Sequence, residues 1–207
     1  MLEDVSVTSA IIEKREALSP QRSLLVAVSG IDASGKGFIT QQLAERLRKA
    51  GWNVAVISAD DWLNLPKVCV NSDNYAEHFY EHAIRFDEMF KQLIMPLKRN
   101  RGISLTADCA DARATAFRKE RYDFRNIDVV LLEGIFLFKS TYRHHFDQTI
   151  WIDCSFKSAL QRAIKRGQEG LSREETVRVF QTIYFPAQAI HFARDNPREA
   201  ADIVLTN

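Results

Sequence analysis

The sequence predicts a three-layer α/β fold with a mostly parallel sheet, on three observations. Short, wholly apolar runs such as Leu24–Val28 and Val129–Leu132 read as strands covered on both faces. Amphipathic stretches alternate with such runs, at Lys36–Lys49 and Phe156–Arg166. Gly30, Asp60 and Glu133 follow directly on apolar strands, at the sheet edge where parallel α/β folds collect ligands.

Each element follows in order. A helix is expected over Val7–Leu18, ended by Pro20, as part of an N-terminal extension covering residues 1–22. After the first strand, the helix Lys36–Lys49 carries Ile39, Leu43 and Leu47 along one side and stops at Gly51. Val54–Ser58 is the second strand. The segment "EHFYEHAIRFDEMFKQLIMPL" places Phe79, Ile84, Phe86, Met89, Phe90, Leu93 and Ile94 in helical rhythm, with Pro96 expected to end the helix. "GISLT" reads as a short strand, Val129–Leu132 and Thr149–Ile152 as core strands, and "ADIVLTN" as the last strand. Helices are expected at Phe156–Arg166 and Arg173–Asp195, the latter bent or interrupted at Pro186. Residues 23–207 would form one domain, with a substrate-binding insert at about 61–126 and a helical lid at about 162–175.

Composition excludes several classes. With 207 residues, 46% of them hydrophobic, the chain can bury one sizeable core. A net charge of +1 lacks the basic excess of a protein that grips a nucleic-acid backbone. Three widely spaced cysteines, Cys69, Cys109 and Cys154, form no CxxC and read as reduced thiols of a cytoplasmic protein. The start, MLEDVSV, is not followed by a long apolar run, so neither a secretory signal nor a membrane span is expected. A homo-oligomer remains open.

The chemistry starts at "GIDASGKG". Gly30 to Lys36 has the spacing G-x-x-x-x-G-K of a phosphate-binding P-loop, between a strand and a helix. Small residues let the backbone wrap a phosphate, and the first helical amides have no internal partners. Gly30, Ile31, Asp32, Ala33, Ser34, Gly35, Lys36, Gly37 and Phe38 are therefore the expected ATP-binding segment, with Lys36 on the β- and γ-phosphates. Gly37 stands where a magnesium-binding hydroxyl is usual, so Mg2+ would rely on water, phosphates, nearby acids or Ser34.

Asp60 and Asp61 lie just past the second strand, where a carboxylate can take the proton of an acceptor hydroxyl or hold magnesium through water. Asp60, which follows the strand more directly, is the favoured base. Glu133 ends "VVLLEG" and can likewise orient water on magnesium or touch substrate. Arg162 and Arg166, four apart on one helical face, are candidates to neutralise the transferring phosphoryl group as a lid hinged at Gly167 and Gly170 closes. A solvated basic helix end, favoured by the helix dipole, is the less favoured alternative.

Other residues have two readings. His78 and His82 are four apart but lack a third ligand, which favours cleft or surface histidines over a metal pair. His144 and His145 read as structural. Arg113 and Arg118 either contact an acidic group or sit on an exposed helix. Trp62, Phe79, Tyr80 and Phe86 either wall a base or sugar or pack in the core.

"VSGIDASGKG", "ISADDW", "LLEGIF", "DCSFKSALQRAIKR" and "ADIVLTN", in this order over Leu24–Asn207, resemble the uridine kinase and phosphoribulokinase group of P-loop kinases. The resemblance implies transfer of the γ-phosphate of ATP to a hydroxyl of a nucleoside or another small metabolite. It implies Asp60 as the acid that activates the hydroxyl, Glu133 as the group's "EGI" glutamate, and Arg162 and Arg166 as lid arginines. "YEHAIRFD" stands nearest the group's nucleoside-binding stretch, with Glu81 at the ribose-binding acid and His82 beside it. Its proline and second aspartate are absent, and Thr106 lies near the expected base-stacking tyrosine. Kinases for sugars, vitamin precursors or nucleoside monophosphates, whose loops also read "GKG", are alternatives. A non-enzymatic nucleotide switch is a third.

Overall fold

The computed structural model describes residues 2–69, 74–111, 113–167 and 170–207, without the side chains of residues 2–5 and 69. Among the described residues seven strands follow one another as β1 (Leu24–Gly30), β2 (Val54–Ser58), β3 (Ile103–Cys109), β4 (Arg118–Phe124), β5 (Val129–Gly134), β6 (Gln148–Asp153) and β7 (Ile203–Thr206). Five of them form one parallel sheet in the order β2-β5-β1-β6-β7. β3 and β4 pair antiparallel as a separate ribbon.

Every residue of β1 is buried. Leu24, Val26 and Val28 point into one apolar layer, and Leu25 and Ala27 into the other. That two-sided burial is why the strand reads as a continuous apolar run. The first layer is closed by α1 (Leu2–Glu16), through Val7 and Ile11, and by α2 (Lys36–Lys49), through Leu43, Ala44 and Leu47. α2 ends before Gly51, whose φ of 92° is a left-handed conformation that glycine adopts without steric cost.

The short α3 (Pro66–Cys69) precedes α4 (Tyr75–His82), which Asn74 caps by accepting the Glu77 amide at 3.2 Å. The single helix expected to run through to Pro96 is in fact broken at 83–85. There the backbone pairs elsewhere: Asn64 N–H donates to Ala83 O at 2.8 Å, and Arg85 N–H to Trp62 O at 2.9 Å. The chain resumes as α5, residues 86–100, and Pro96 does not end it. A π-turn at Phe90–Ile94 comes just before the proline. A proline in a regular helix lacks an N–H and clashes with the carbonyl four residues back, and the wide turn relieves both. The same device recurs at Pro186, after the π-turn Phe180–Tyr184.

The "RKERYDF" segment is strand β4 rather than an exposed helix. Its alternation puts Tyr122 inward, stacked on buried Trp62 at 6.2 Å between ring centroids. α6 (Phe156–Arg166), capped by Ser155, follows β6, and α7, residues 173–195, begins with a Ser172–Glu175 capping box. Residues 168 and 169 of the expected lid lie outside the described residues.

The end of α7 is bound to the core by Asp195. It accepts from Tyr80 Oη at 2.5 Å and the Ser140 amide at 2.9 Å, and lies 2.7 Å from His191 Nδ1. Burial alone would raise the Asp195 carboxyl, but these hydrogen bonds hold it down at about 2. Cys109 and Cys154 are free thiols. Among the described residues no helix is long and apolar enough to cross a membrane.

Candidate active site

Parallel strands end at a common edge. The register sets Ser29 of β1 beside Gly134 of β5, and Ser58 of β2 beside Glu133. The loop after β1, the turn after β2 and the end of β5 therefore meet around one cleft of about 930 Å³.

The loop is shaped by close contacts. A Cβ on Gly30 would stand 2.7 Å from Ser34 Oγ and 2.8 Å from Ile152 O, so only glycine fits. Gly35 has φ 94°, and its Cα faces the Asn207 amide. The Ser34 carbonyl accepts two hydrogen bonds, from Asn207 Nδ2 at 2.7 Å and Arg162 Nη1 at 2.9 Å. Because a peptide is planar and trans, fixing that carbonyl aims the Gly35 N–H the opposite way. α2 opens at Lys36, and its first amides lack intrahelical partners, so they form an anion-binding end.

Lys36 is 8% exposed and reaches the cleft without an ion-pair partner among the described residues. Its field acts on two buried acids. Burial raises the Asp32 carboxyl, Lys36 and the 2.9 Å hydrogen bond from Gln188 Nε2 oppose that, and Asp60 adds to it. Burial also raises Glu133, with Lys36 opposing and Asp60 reinforcing. Ser58 links the acids: its Oγ accepts the Asp60 amide at 3.3 Å and donates to Glu133 Oε1. Asp61 is occupied differently, 3.4 Å from Arg118 Nη2.

The facing wall is cationic. Arg162, Lys165 and Arg166 of α6 and Arg113 from the β3–β4 connection line the cleft, and none is ion-paired among the described residues. Positive and negative groups thus share the cavity without neutralising each other. That arrangement suits a polyanion accompanied by a cation.

The structure brings together on the cleft wall Asp32, Ala33, Gly35, Lys36, Gly37, Phe38, Asp60, Glu133, Arg162 and Arg166. Gly30, Ile31 and Ser34 lie beneath the loop; Ile31 is buried in the core. Ser34 does not offer its hydroxyl to a metal, because Oγ is buried without a partner under Gly30. Glu81 and His82 do not line the cleft. Glu81 pairs instead with Arg194 at 3.4 Å and His82 at 3.7 Å. Phe79, Tyr80, Phe86 and Trp62 are all core residues and are not among the residues lining the cleft. Ser58, Asp111 and Asn207 went unpredicted. For Ser58 the available signal was a hydroxyl in the last position of a strand, just before Asp60.

Mg2+ fits these surroundings only as a shared ligand. Among the described residues no three His, Cys, Asp or Glu side chains gather to hold a metal alone. Asp60 and Glu133 would supply carboxylates, with water and phosphate oxygens completing the shell, as is usual for this ion. At Gly37 an added Cβ meets nothing within 4 Å, so the missing hydroxyl is not excluded by packing.

No protein-family model matches the chain, and no curated protein matches it in sequence. Solved structures do match in fold. A candidate uridine kinase from Bacillus stearothermophilus superposes with TM-score 0.74 at 21% identity, over 98% of this chain and 97% of that one. A candidate fructose transport system kinase from Silicibacter sp. TM1040 gives 0.73 at 21% identity, over 98% of each chain. D-glycerate 3-kinase from Cryptococcus neoformans var. grubii gives 0.62 at 14% identity, over 89% of this chain and 87% of that one. The chain shares the α/β fold of these three structures.

Proposed function

We propose that the protein is a cytoplasmic ATP-dependent kinase that phosphorylates a hydroxyl of a small metabolite, a nucleoside or a related compound. One observation carries this reading: one cleft joins the G-x-x-x-x-G-K segment and Lys36 to Asp60 after β2, and neither side chain has an ion-pair partner among the described residues.

In this reading the amides of Gly35, Lys36 and Gly37 and the Lys36 ammonium hold the ATP phosphates. Asp60 accepts the proton of the acceptor hydroxyl. The acceptor oxygen then bonds to the γ-phosphorus as the bond to the β–γ bridging oxygen breaks, and ADP leaves. Asp60 and Glu133 would hold Mg2+ through water; the bound ion neutralises phosphate charge. Arg162 and Arg166 offset the charge on the transferring group. Arg162 also braces the Ser34 carbonyl, so it ties the expected lid, residues 162–175, to the loop. Exclusion of water as the lid closes favours transfer over hydrolysis.

The fold shared with kinases supports phosphotransfer as the reaction class. The test is ADP release from ATP and magnesium against a panel of nucleosides and small alcohols. Release that depends on an acceptor is expected. Turnover independent of any acceptor would instead mark a nucleotide switch.

A further inference from the structure

The acceptor end of the cleft has its own chemistry, and two observations on it are independent of the phosphate loop. The first is a positioned cation with no ion-pair partner among the described residues. Ala110 N–H donates to Asp61 O at 3.1 Å, and Ala110 bridges to Trp62, so the segment carrying Arg113 is tied to the Asp60–Asp61 turn. Asp111 Oδ1 accepts the Arg113 amide at 2.8 Å and sets where that side chain starts. The guanidinium lies against the Gly170 backbone, where an added Cβ would come 2.8 Å from Nη1. It lines the cleft with no carboxylate of its own among the described residues. The neighbouring Arg118, in contrast, is already paired with Asp61 at 3.4 Å.

The second observation is that the aromatic rings near the Asp60–Asp61 turn are already covered. A nucleobase is held by an open aromatic ring or an equivalent apolar plate. Trp62 and Tyr122 bury their rings on one another. Phe117 is exposed, but Arg85 already sits 4.6 Å from its ring centroid. Leu63 and Phe38 are the large apolar side chains lining the cleft among the described residues, and Phe38 belongs to the first turn of α2, beside the phosphate-binding segment rather than the Asp60–Asp61 turn.

We infer that the acceptor is a small polyhydroxylated anion, bound through its carboxylate or phosphate group by Arg113 while Asp60 faces its hydroxyl. This rests on the phosphotransfer reading and narrows it away from nucleosides. A guanidinium donates two parallel bonds to either anion, which gives orientation as well as attraction.

The test compares matched acceptors with ATP and magnesium: glycerol, fructose and uridine against glycerate, glycerol 3-phosphate and fructose 6-phosphate. The carboxylate and phosphate arms separate the two sources of charge. A non-hydrolysable ATP analogue is titrated in parallel. The expected result is a kcat/KM for one anionic arm about tenfold or more above its neutral partner, as a charge-assisted pair would give. Arg113→Gln should erase that preference through KM while still binding the analogue, and Arg113→Lys should restore part of it. Preference for uridine or another neutral acceptor, unmoved by Arg113→Gln, would overturn the inference and leave phosphotransfer standing. No ADP release with any acceptor, from protein that binds the analogue, would overturn both.

Discussion

Asn207→Ala isolates how the phosphate loop is held in shape. The Ser34 carbonyl has two donors, the neutral Asn207 amide at 2.7 Å and the charged Arg162 at 2.9 Å. The Asn207 main chain stays fixed in the variant, because its own N–H donates to Asp153 O at 3.0 Å. A neutral hydrogen bond contributes about 0.5–1.5 kcal/mol net, and one to a charged group about 1.5–3 kcal/mol. Loss of the first should therefore weaken binding of a non-hydrolysable ATP analogue about two- to twelvefold. Arg162→Ala also removes a cation from the cleft and should cost about tenfold or more. In the double variant the buried carbonyl has no donor, which adds the cost of an unsatisfied group, about 1–3 kcal/mol. The two substitutions should thus be coupled by more than about 0.5 kcal/mol. Calorimetric titration of the four proteins, with thermal melts to check folding, measures this cycle. Unchanged affinity in Asn207→Ala, or strictly additive effects, would refute the idea that the shared carbonyl orients the loop.

Three further outcomes follow from the same geometry. Asp60→Asn should bind the ATP analogue normally but transfer phosphate about a hundredfold more slowly or worse, read by acceptor-dependent ADP release. Glu133→Gln should raise the melting temperature at pH 7 while lowering turnover. Its carboxyl is raised mainly by burial, so the stability it contributes is present below the ordinary carboxylate range and lost as pH rises through the raised value. Melts across pH should show the advantage of the glutamine variant fading as pH falls below that ordinary range. Gly37→Ser has open space for its side chain and removes a helical glycine. It should gain about 0.5 kcal/mol in stability and lower the magnesium concentration for half-maximal activity, checked by melts and metal titration.

The core strands and the two helices flanking them were legible because each carries its own pattern. β1, β2 and β5 are apolar throughout or nearly so, and α2 and α6 keep their predicted limits because glycines stop both: Gly51 just past one and Gly167 at the end of the other. The break at 83–85 was not legible, since it is made by Trp62 and Asn64 from an earlier segment. Pro96 misled because a π-turn, invisible in local composition, lets the helix continue. In the site, Lys36, Asp60 and Glu133 stood out because each ends a strand or opens a helix. Asn207, Arg113 and Gln188 acquire their places only when distant segments close on the loop and the cleft. Glu81 rests on the resemblance and His82 on its place beside it, and in the structure Arg194 pairs with Glu81 away from the cleft lining.

In the proposed reaction, amides at the start of α2 and the Lys36 ammonium together hold a triphosphate. Calorimetric titration of a magnesium-loaded, non-hydrolysable ATP analogue into the parent protein and Lys36→Met tests it most directly. One site is expected in the parent, with affinity at least about tenfold weaker in the variant, both proteins being folded. Absence of binding to the folded parent, or equal affinity in the two, would contradict it.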